Sequence, residues 1–514
     1  MSSKAVSKGI VSVGSWSVAK LATAAVVLPI FARLLGIEGY GQYAYYLAVL
    51  LLASQFANVG MMQTMTKRVA ERPNDLAWCR AVARAGALIN GMGVAIVGLL
   101  VGLILVSAAP QGTAAVVTAC VVVGVLLFDQ MWFYARGILY GLRREERAAI
   151  PGIIGVVTAG ALGVTLAMNG MGVTGVLTGL LVADLFVAVV CLRSVMHVLQ
   201  GTERVRSAPV VPLPTQELLR FGLSAMVFSV LNMALCSLDV ILVRHLAGGA
   251  QAGLYAAAVQ WSQFVWFIPI AVEGVMLQST ARLWTEHRVG DVSSLVSRLL
   301  RYVMLGTAFL LLIVFALGDQ IVTLYFGPQF AEAALALRLL VPGAFCYAMA
   351  RVLWPVIQAG GDGAHLIRVM GATVLVDVGL CWALVPRWGA AGAALATSAS
   401  FALVAVGYAW VLRRRQVHIF EGWAVSRLMG LVVGTGTAIA GGAAMIDAPI
   451  LSVMVGSAVG ALVYWSGVFW LGLLQVEEVE QLVHSLPGTL RRAGVKIFRW
   501  LEPALLKLRP TVLN

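Results

Sequence analysis

Fourteen runs of apolar residues alternate with short polar connections along the chain. They fall at roughly 10–32, 41–66, 82–107, 113–135, 148–168, 171–193, 220–243, 251–280, 299–318, 333–358, 366–386, 389–412, 424–446 and 449–474. A bilayer-spanning helix needs ~20 apolar residues, so each run predicts one transmembrane helix. The runs are far too long and uniformly apolar for strands, so the fold class is all-α and polytopic. At the N-terminus, Lys4 and Lys8 precede an apolar run in the manner of a signal peptide. Lys20 interrupts that run, no convincing cleavage site closes it, and it is long enough to span. It is read as a retained first helix.

The polar punctuation repeats. Residues 31–71 open with a Gly-rich hairpin from Arg33 to Gly41, continue as a long apolar helix, and end at Lys67-Arg68 with Arg72 behind. Residues 243–286 repeat the arrangement: Gly253-Leu254-Tyr255 stands 212 residues after Gly41-Gln42-Tyr43. Arg33 and Arg244 stand just before their hairpins, and Arg282 roughly corresponds to Lys67-Arg68. An internal duplication accounts for this, giving two pseudo-symmetric six-helix bundles at 1–200 and 216–415. A Pro-rich cytoplasmic linker, 201–215, joins them. Helices 13 and 14, in 416–475, form an accessory pair outside the repeat, and 476–514 is a tail. Doubled bundles of this kind are typical of transporters that hold their substrate between the halves.

Composition places nearly all of this in a membrane. Hydrophobic residues make up 60% of the chain and charged residues 11%, against about 25% charged in soluble domains. The net charge of +13 does not point to nucleic acid, because the basic residues lie in short loops between apolar helices. With alternate loops assigned to the cytoplasm, beginning from the N-terminus, 30 of the 36 Lys and Arg lie on the cytoplasmic side. Three lie opposite (Arg33, Arg244, Arg387) and three well inside spans (Lys20, Arg338, Arg351); basic residues at the cytoplasmic ends of runs are counted with the loops. So strong a positive-inside bias supports fourteen helices with both termini cytoplasmic. The tail interleaves Arg491, Arg492, Lys496 and Arg499 with Leu490, Ile497, Phe498 and Leu501. That pattern suits either a helix on an anionic leaflet or a loosely ordered segment. The six cysteines are scattered and the six histidines lie in loops or the tail. Neither set has metal-ligand or disulfide spacing, so neither a metal nor a cofactor is expected.

The stretch LLGIEGYGQYAYY, followed by a long helix and MTKRVAE, resembles the first hairpin of the bacterial Wzx-type polysaccharide-repeat flippases. These belong to the multidrug/oligosaccharidyl-lipid/polysaccharide exporter superfamily. LYFGPQFAEAALALRLLVPG (324–343) and VPRWGAAGAALATSAS (385–400) are similar to further runs of that family. The resemblance covers roughly residues 5–415 and rests mainly on packing and turn residues. It implies a flippase for undecaprenyl-pyrophosphate-linked oligosaccharides in the bacterial inner membrane. Its partners would be that substrate, membrane lipids and other polysaccharide assembly proteins.

Such a cargo asks the lumen for cations to meet phosphates and flat rings to meet sugars. A charge near the bilayer centre costs ~2.5–3.5 kcal/mol and usually faces a cavity or a partner. Lys20 shares one face of the first helix with Ser12, Trp16 and Thr23. Arg351 is flanked by Tyr347, Trp354 and Gln358 at −4, +3 and +7. Lys20 and Arg351, with Tyr347 and Trp354, are the substrate-binding candidates; a buried ion pair with an acid is the structural alternative. Arg33 and Arg244 either draw the headgroup outward or anchor helix ends at the interface. The intramembrane acids are Asp129, Asp184, Asp239, Glu273 and Asp377. Burial and a nearby cation pull a carboxyl's proton affinity in opposite directions. An acid so placed can couple transport to H⁺ or Na⁺, or simply partner Lys20, Arg351 or a helix end. Glu273 and Asp239 lead this group; Asp129 can instead pair with Arg136 seven residues on. Gly98/Gly102, Gly175/Gly179, Gly430/Gly434 and Gly456/Gly460 are read as close helix contacts. Pro29, Pro269, Pro342 and Pro355 are read as kinks or as bends of a moving bundle.

A flippase working by alternating access is therefore expected. The rivals are a cation-coupled multidrug exporter of the same superfamily and a membrane glycosyltransferase or polymerase. The last would need a sizeable outer loop with active-site residues, whereas the longest outer loop, roughly 319–332, has no Lys, Arg or His. No catalytic residue is expected.

Overall fold

The computed structural model describes residues 3–108, 113–200, 215–420, 425–446, 448–474 and 478. The expected linker and tail lie outside the described residues, apart from Thr215 and Glu478. The helices run in order α1 (Ser3–Asn58), α2 (Met61–Glu71), α3 (Leu76–Ala108), α4 (Thr113–Gly141), α5 (Glu146–Leu166), α6 (Gly172–Gln200), α7 (Thr215–Ala247) and α8 (Gly249–Phe264). They continue as α9 (Phe267–Thr285), α10 (Val289–Ala316), α11 (Gly318–Phe326), α12 (Ala333–Ala359), α13 (Gly363–Arg414), α14 (Val425–Ala444) and α15 (Pro449–Trp470). No strand occurs among the described residues.

Ten helical stretches are long and apolar enough to cross a bilayer, and the bent pair α8–α9 makes an eleventh. Three of the ten, Gly14–Asn58, Glu146–Leu199 and Gly363–Arg414, are 45, 54 and 52 residues long. At 1.5 Å per residue each would be roughly 65–80 Å long, at least twice the ~30 Å hydrocarbon thickness. Each therefore holds two crossings, and the described residues form fourteen in all.

The joints are made by glycine. Gly36 (φ 68°) divides α1, and Gly248 (φ 90°) separates α7 from α8, 212 residues later. Gly172 (φ 52°, ψ −134°) opens α6, and Gly389 (φ 53°, ψ −130°) divides α13 with nearly the same dihedrals. Glycine enters this region of φ without a Cβ penalty. The first/second and seventh/eighth crossings thus share one joint, and the fifth/sixth and eleventh/twelfth another.

Two crossings expected to be continuous are broken. The second ends at Asn58, passes through Val59 (φ 48°) and Gly60 (φ 66°), and resumes as α2. A β-branched residue at positive φ is a genuine outlier. The eighth is broken between Phe264 and Phe267 with a bend of 49°, and Pro269 lies in the first turn after the break. Apolar periodicity reports which face is buried and is blind to the direction of the axis, so both segments look uninterrupted in sequence.

The residues group into two compact units. The first is Met1–Ala257 with Ile367–Thr397, carrying α1 to α7, the start of α8 and the first limb of α13. Its core has one cluster around Met61, Met65, Tyr134 and Ile138, and another around Leu50, Val94, Val122 and Leu126. Within this unit α1 and α2 meet α7 and α8 through glycine. A Cβ on Gly41 would lie 2.7 Å from the Gly253 nitrogen, and a Cβ on Gly60 would strike the Gly222 backbone. Beside the second contact, Arg68 pairs with Glu217 at 3.1 Å and Lys67 lies 4.4 Å from the Phe221 ring centroid.

The second unit is Ala258–Leu366 with Ser398–Asn514. Tyr347 stacks on Phe401 (4.5 Å) and meets Trp266 (4.7 Å), joining α12, the second limb of α13 and the break before α9. The Tyr464 hydroxyl of α15 donates to the Leu305 carbonyl of α10 at 2.8 Å. The Gly-x-x-x-Gly pairs divide by role. Gly179 packs on the Gly163 backbone and Gly460 on Ile439, as close-contact motifs do in membranes, whereas Gly430 and Gly434 have nothing within 4 Å of an added Cβ.

Candidate functional site

In the first unit the intramembrane charges gather around α4. Trp132, Phe133, Arg136 and Tyr140 follow one another at spacings of one, three and four, so three rings of α4 lie near the guanidinium carbon: Phe133 at 4.4 Å, Trp132 at 4.8 Å and Tyr140 at 5.8 Å. Trp16 of α1 adds a fourth ring at 5.3 Å. Arg136 is buried, and its Nη2 donates to the Met62 Sδ at 3.1 Å. The exposed Lys20 also stands by Trp16, its Nζ 5.6 Å from the ring centroid. Asp129 lies in electrostatic reach of both cations, and Asp184 of Asp129. Among the described residues no carboxylate is within ion-pair distance of Lys20 or Arg136, so the possible pairing of Asp129 with Arg136 stops short of contact.

Asp129 instead accepts from Gln130 Nε2 at 3.1 Å. Gln130 Oε1 accepts from Asn58 Nδ2 at 3.1 Å, and Asn58 Oδ1 accepts from the Met62 backbone N–H at 3.1 Å. That last donor is one freed by the break at Val59–Gly60, so the break is capped by a chain of amides leading back to Asp129. Ser54, Asn58, Met62 and Gln130 line a small polar cleft of about 30 Å³ beside it.

The sequence places Arg136 in a cytoplasmic loop, because the expected fourth span stops at 135. The helix runs on to Gly141, and Arg136 faces inward. Three of its rings were visible as neighbours on the same helix; the fourth, Trp16, required the packing of α1 on α4.

Asp239 occupies a separate, closed position in the same unit. It is buried and accepts from the Tyr255 hydroxyl, from Thr397 Oγ1 (2.9 Å) and from the Val240 N–H (3.0 Å). Tyr255 and Thr397 are also within 2.8 Å of each other. Asp377 is buried too, and both acids lie within electrostatic reach of Cys381. Asp239 is therefore set among hydroxyls. Arg33 is exposed, while Arg244 lies against Gly249, where an added Cβ would also meet Glu38. Arg244 is thus engaged at the first glycine contact.

In the second unit two residues read separately from the sequence come together. Arg351 Nη2 of α12 donates to Glu273 Oε2 of α9 at 2.7 Å, with side chains 19% and 22% exposed. Trp354 also reaches the Glu273 carboxylate. Ile270, Glu273, Arg351, Trp354 and Pro355 line a cavity of about 200 Å³. Tyr347 lies 5.9 Å from the guanidinium carbon but is buried in the Trp266–Phe401 stack, so it forms a wall under the pair.

The same unit carries a larger, almost wholly apolar groove of about 480 Å³ between α14 and α15. Gly430, Gly434 and Gly467 leave its floor low, Trp470 forms a wall, and Arg427 stands at one end, donating to the Leu471 carbonyl at 3.2 Å. Such a groove fits a hydrocarbon chain with an anionic group near Arg427.

Comparison with known proteins gives two matching family models. Residues 6–269 match the one described as polysaccharide biosynthesis protein, and residues 138–460 the one described as lipid II flippase MurJ. An uncharacterised membrane protein of Methanocaldococcus jannaschii is 20% identical over 274 residues, 53% of this chain. The chain spans about half the length of that curated relative, 54%. Among solved structures, a lipid II flippase MurJ in an inward closed conformation is similar with a TM-score of 0.65 at 14% identity, covering 90% of this chain and 99% of the other. A multidrug resistance MATE family transporter of the MOP superfamily, inward-facing, gives 0.60 at 15% identity, covering 79% and 99%. At these identities the structural likeness is one of fold.

Proposed function

The chain belongs to the polysaccharide biosynthesis and MurJ-type flippase family of the MOP superfamily, and from that premise we propose that it moves an undecaprenyl-pyrophosphate-linked oligosaccharide across the bacterial inner membrane. The observation that carries this reading is the pair of intramembrane sites in which a cation stands beside an aromatic ring: Lys20 with Trp16, and Arg351 with Tyr347, Trp354 reaching the Glu273 carboxylate that Arg351 pairs with. Cations meet phosphate and flat rings meet sugar. An apolar groove at α14–α15 supplies what the polyprenyl chain needs. Both termini are cytoplasmic on this reading, in keeping with the charge bias of the loops. Two six-helix halves, 1–200 and 216–415, alternate in access, and the final product is an O-antigen, capsule or exopolysaccharide. The protein's contribution is binding and movement, without bond chemistry. Asp239, set among hydroxyls, the buried Asp377, and Glu273, paired with Arg351, are the positions best suited to couple transport to an ion.

In a deletion strain, sugar-loaded undecaprenyl pyrophosphate accumulates on the cytoplasmic side, and the wild-type gene clears it while Lys20→Ala or Arg351→Ala does not. Absence of that intermediate, with heightened sensitivity to cationic drugs, would replace this reading by a drug exporter of the same superfamily.

A further inference from the structure

We propose that Arg136, acting with Lys20, forms a phosphate-binding site in the first unit, and that it receives the pyrophosphate of the lipid-linked cargo; the identity of that cargo rests on the functional reading above. Four rings occupy the surroundings of the Arg136 guanidinium. Cation–π contacts engage the guanidinium as a charge and leave its in-plane N–H groups to find acceptors. Of five such donors, the acceptor found among the described residues is a single thioether, Met62 Sδ. Thioether sulfur is a weak acceptor. Arg136 Nε is buried with no hydrogen-bond partner, and so is the neighbouring Trp16 Nε1. A buried guanidinium without a carboxylate in contact is expensive, so a protein that keeps one there has a use for its unspent donors.

The fork of an arginine matches phosphate bidentately, whereas lysine contributes a compact charge. Trp16 is flanked by both: Arg136 at 5.3 Å and Lys20 at 5.6 Å from its ring. Lys20 is exposed while Arg136 is buried, so the two cations stand at different depths beside the same ring. Asp129, in electrostatic reach of both cations, is the internal anion with which an arriving phosphate competes for them. Its amide chain through Gln130 and Asn58 ends at the Met62 N–H. The Met62 side chain also accepts from Arg136. The ligand site and the break in the second crossing thus share a residue, and a phosphate on Arg136 acts directly on the start of α2.

The test uses the full chain in nanodiscs of phosphatidylethanolamine and phosphatidylglycerol, titrated with undecaprenyl pyrophosphate, inorganic pyrophosphate and undecaprenol and read by native mass spectrometry. Wild type is expected to bind undecaprenyl pyrophosphate, with Arg136→Gln weakening it by about tenfold or more, the size of a lost charge-assisted hydrogen bond. Arg136→Lys should fall between the two, and undecaprenol should be insensitive to either change. Arg136→Lys retains the charge and carries the test should Arg136→Gln fail to melt cooperatively. Undecaprenyl pyrophosphate binding as tight in both variants as in wild type, but lost in Lys20→Gln, would overturn the inference and leave the flippase reading standing. Inorganic pyrophosphate binding as well as the lipid would assign the site to free phosphate and overturn the lipid assignment. A wild type that binds neither would sink the flippase reading and this inference together.

Discussion

The Arg351–Glu273 pair separates a structural role from a functional one. Removing one partner of a fully buried ion pair costs about 3–5 kcal/mol, because the other charge is left uncompensated. Here the side chains retain 19% and 22% of their exposure, and the pair borders a cavity of about 200 Å³. Solvent near the charges screens part of the loss, which brings the expected cost of Arg351→Gln or Glu273→Gln to roughly 2–3 kcal/mol. In the double variant neither side chain carries a charge, so no partner is left uncompensated. Its cost should be within about 1 kcal/mol of wild type, so the two single costs exceed the double cost by about 3 kcal/mol or more, which is the coupling the double-mutant cycle reads. Thermal melting of the purified variants in detergent reads this directly. Transport then discriminates: the double variant should regain stability without regaining clearance of the lipid intermediate if, as proposed above, Arg351 meets the phosphate. Single variants that melt like wild type would refute the pairing. A double variant restored in both stability and transport would refute a substrate role for Arg351.

Three further outcomes follow from the packing. Asp239→Ala leaves the Tyr255 and Thr397 hydroxyls and the Val240 N–H to share what remains, at about 1–3 kcal/mol; Tyr255→Phe removes one donor and should cost less, an order that melting curves will check. Gly253→Ala puts a Cβ against the Ile37 carbonyl and 3.2 Å from the Gly41 nitrogen, an overlap worth about 1–3 kcal/mol, whereas Gly98→Ala meets only Val123 Cγ1 at 3.6 Å and should be neutral by the same assay. Gly434→Leu fills the α14–α15 groove where an added Cβ has no neighbour within 4 Å, so melting should stay unchanged while the lipid intermediate accumulates; normal clearance would show that the groove holds no chain.

The number of crossings was legible because bilayer thickness sets the length of an apolar run independently of how helices pack. The joints were half legible. Gly36 and Gly389 lie in stretches rich in glycine, but nothing in the apolar run around Val59 announces a helix break. The burial of Arg136 was not legible, because charge-bias arguments assign an arginine near a span end to the adjoining loop. The helix runs six residues past the expected 135 to Gly141 and packs its arginine among rings. Trp132, Phe133 and Tyr140 stand at −4, −3 and +4 from Arg136, a pattern that could have flagged it. Glu273 and Arg351 were each recognisable as costly intramembrane charges. Their pairing was not, since it depends on α9 packing against α12, which single-sequence periodicity does not encode. Gly430 and Gly434 carry the spacing of a helix contact and serve a groove, because spacing specifies a smooth helix face and leaves open what lies against it.

The two cationic sites differ in a way that orders their use. Arg351 is already neutralised by a carboxylate at 2.7 Å, so a phosphate arriving there must displace Glu273, and the displaced carboxylate must then take a proton or a metal cation or stand uncompensated. Lys20 and Arg136 have no carboxylate in contact, and their fixed anion, Asp129, is held by an amide. A phosphate can therefore bind there without breaking an ion pair. On the reading proposed above, binding at the first unit is then the easier event, and engagement of Arg351 the one that obliges Glu273 to exchange partners. On the flippase reading, coupling to an ion gradient then needs no dedicated ion pocket at the second site. It follows from one arginine being shared between a substrate anion and a carboxylate that must otherwise find a cation.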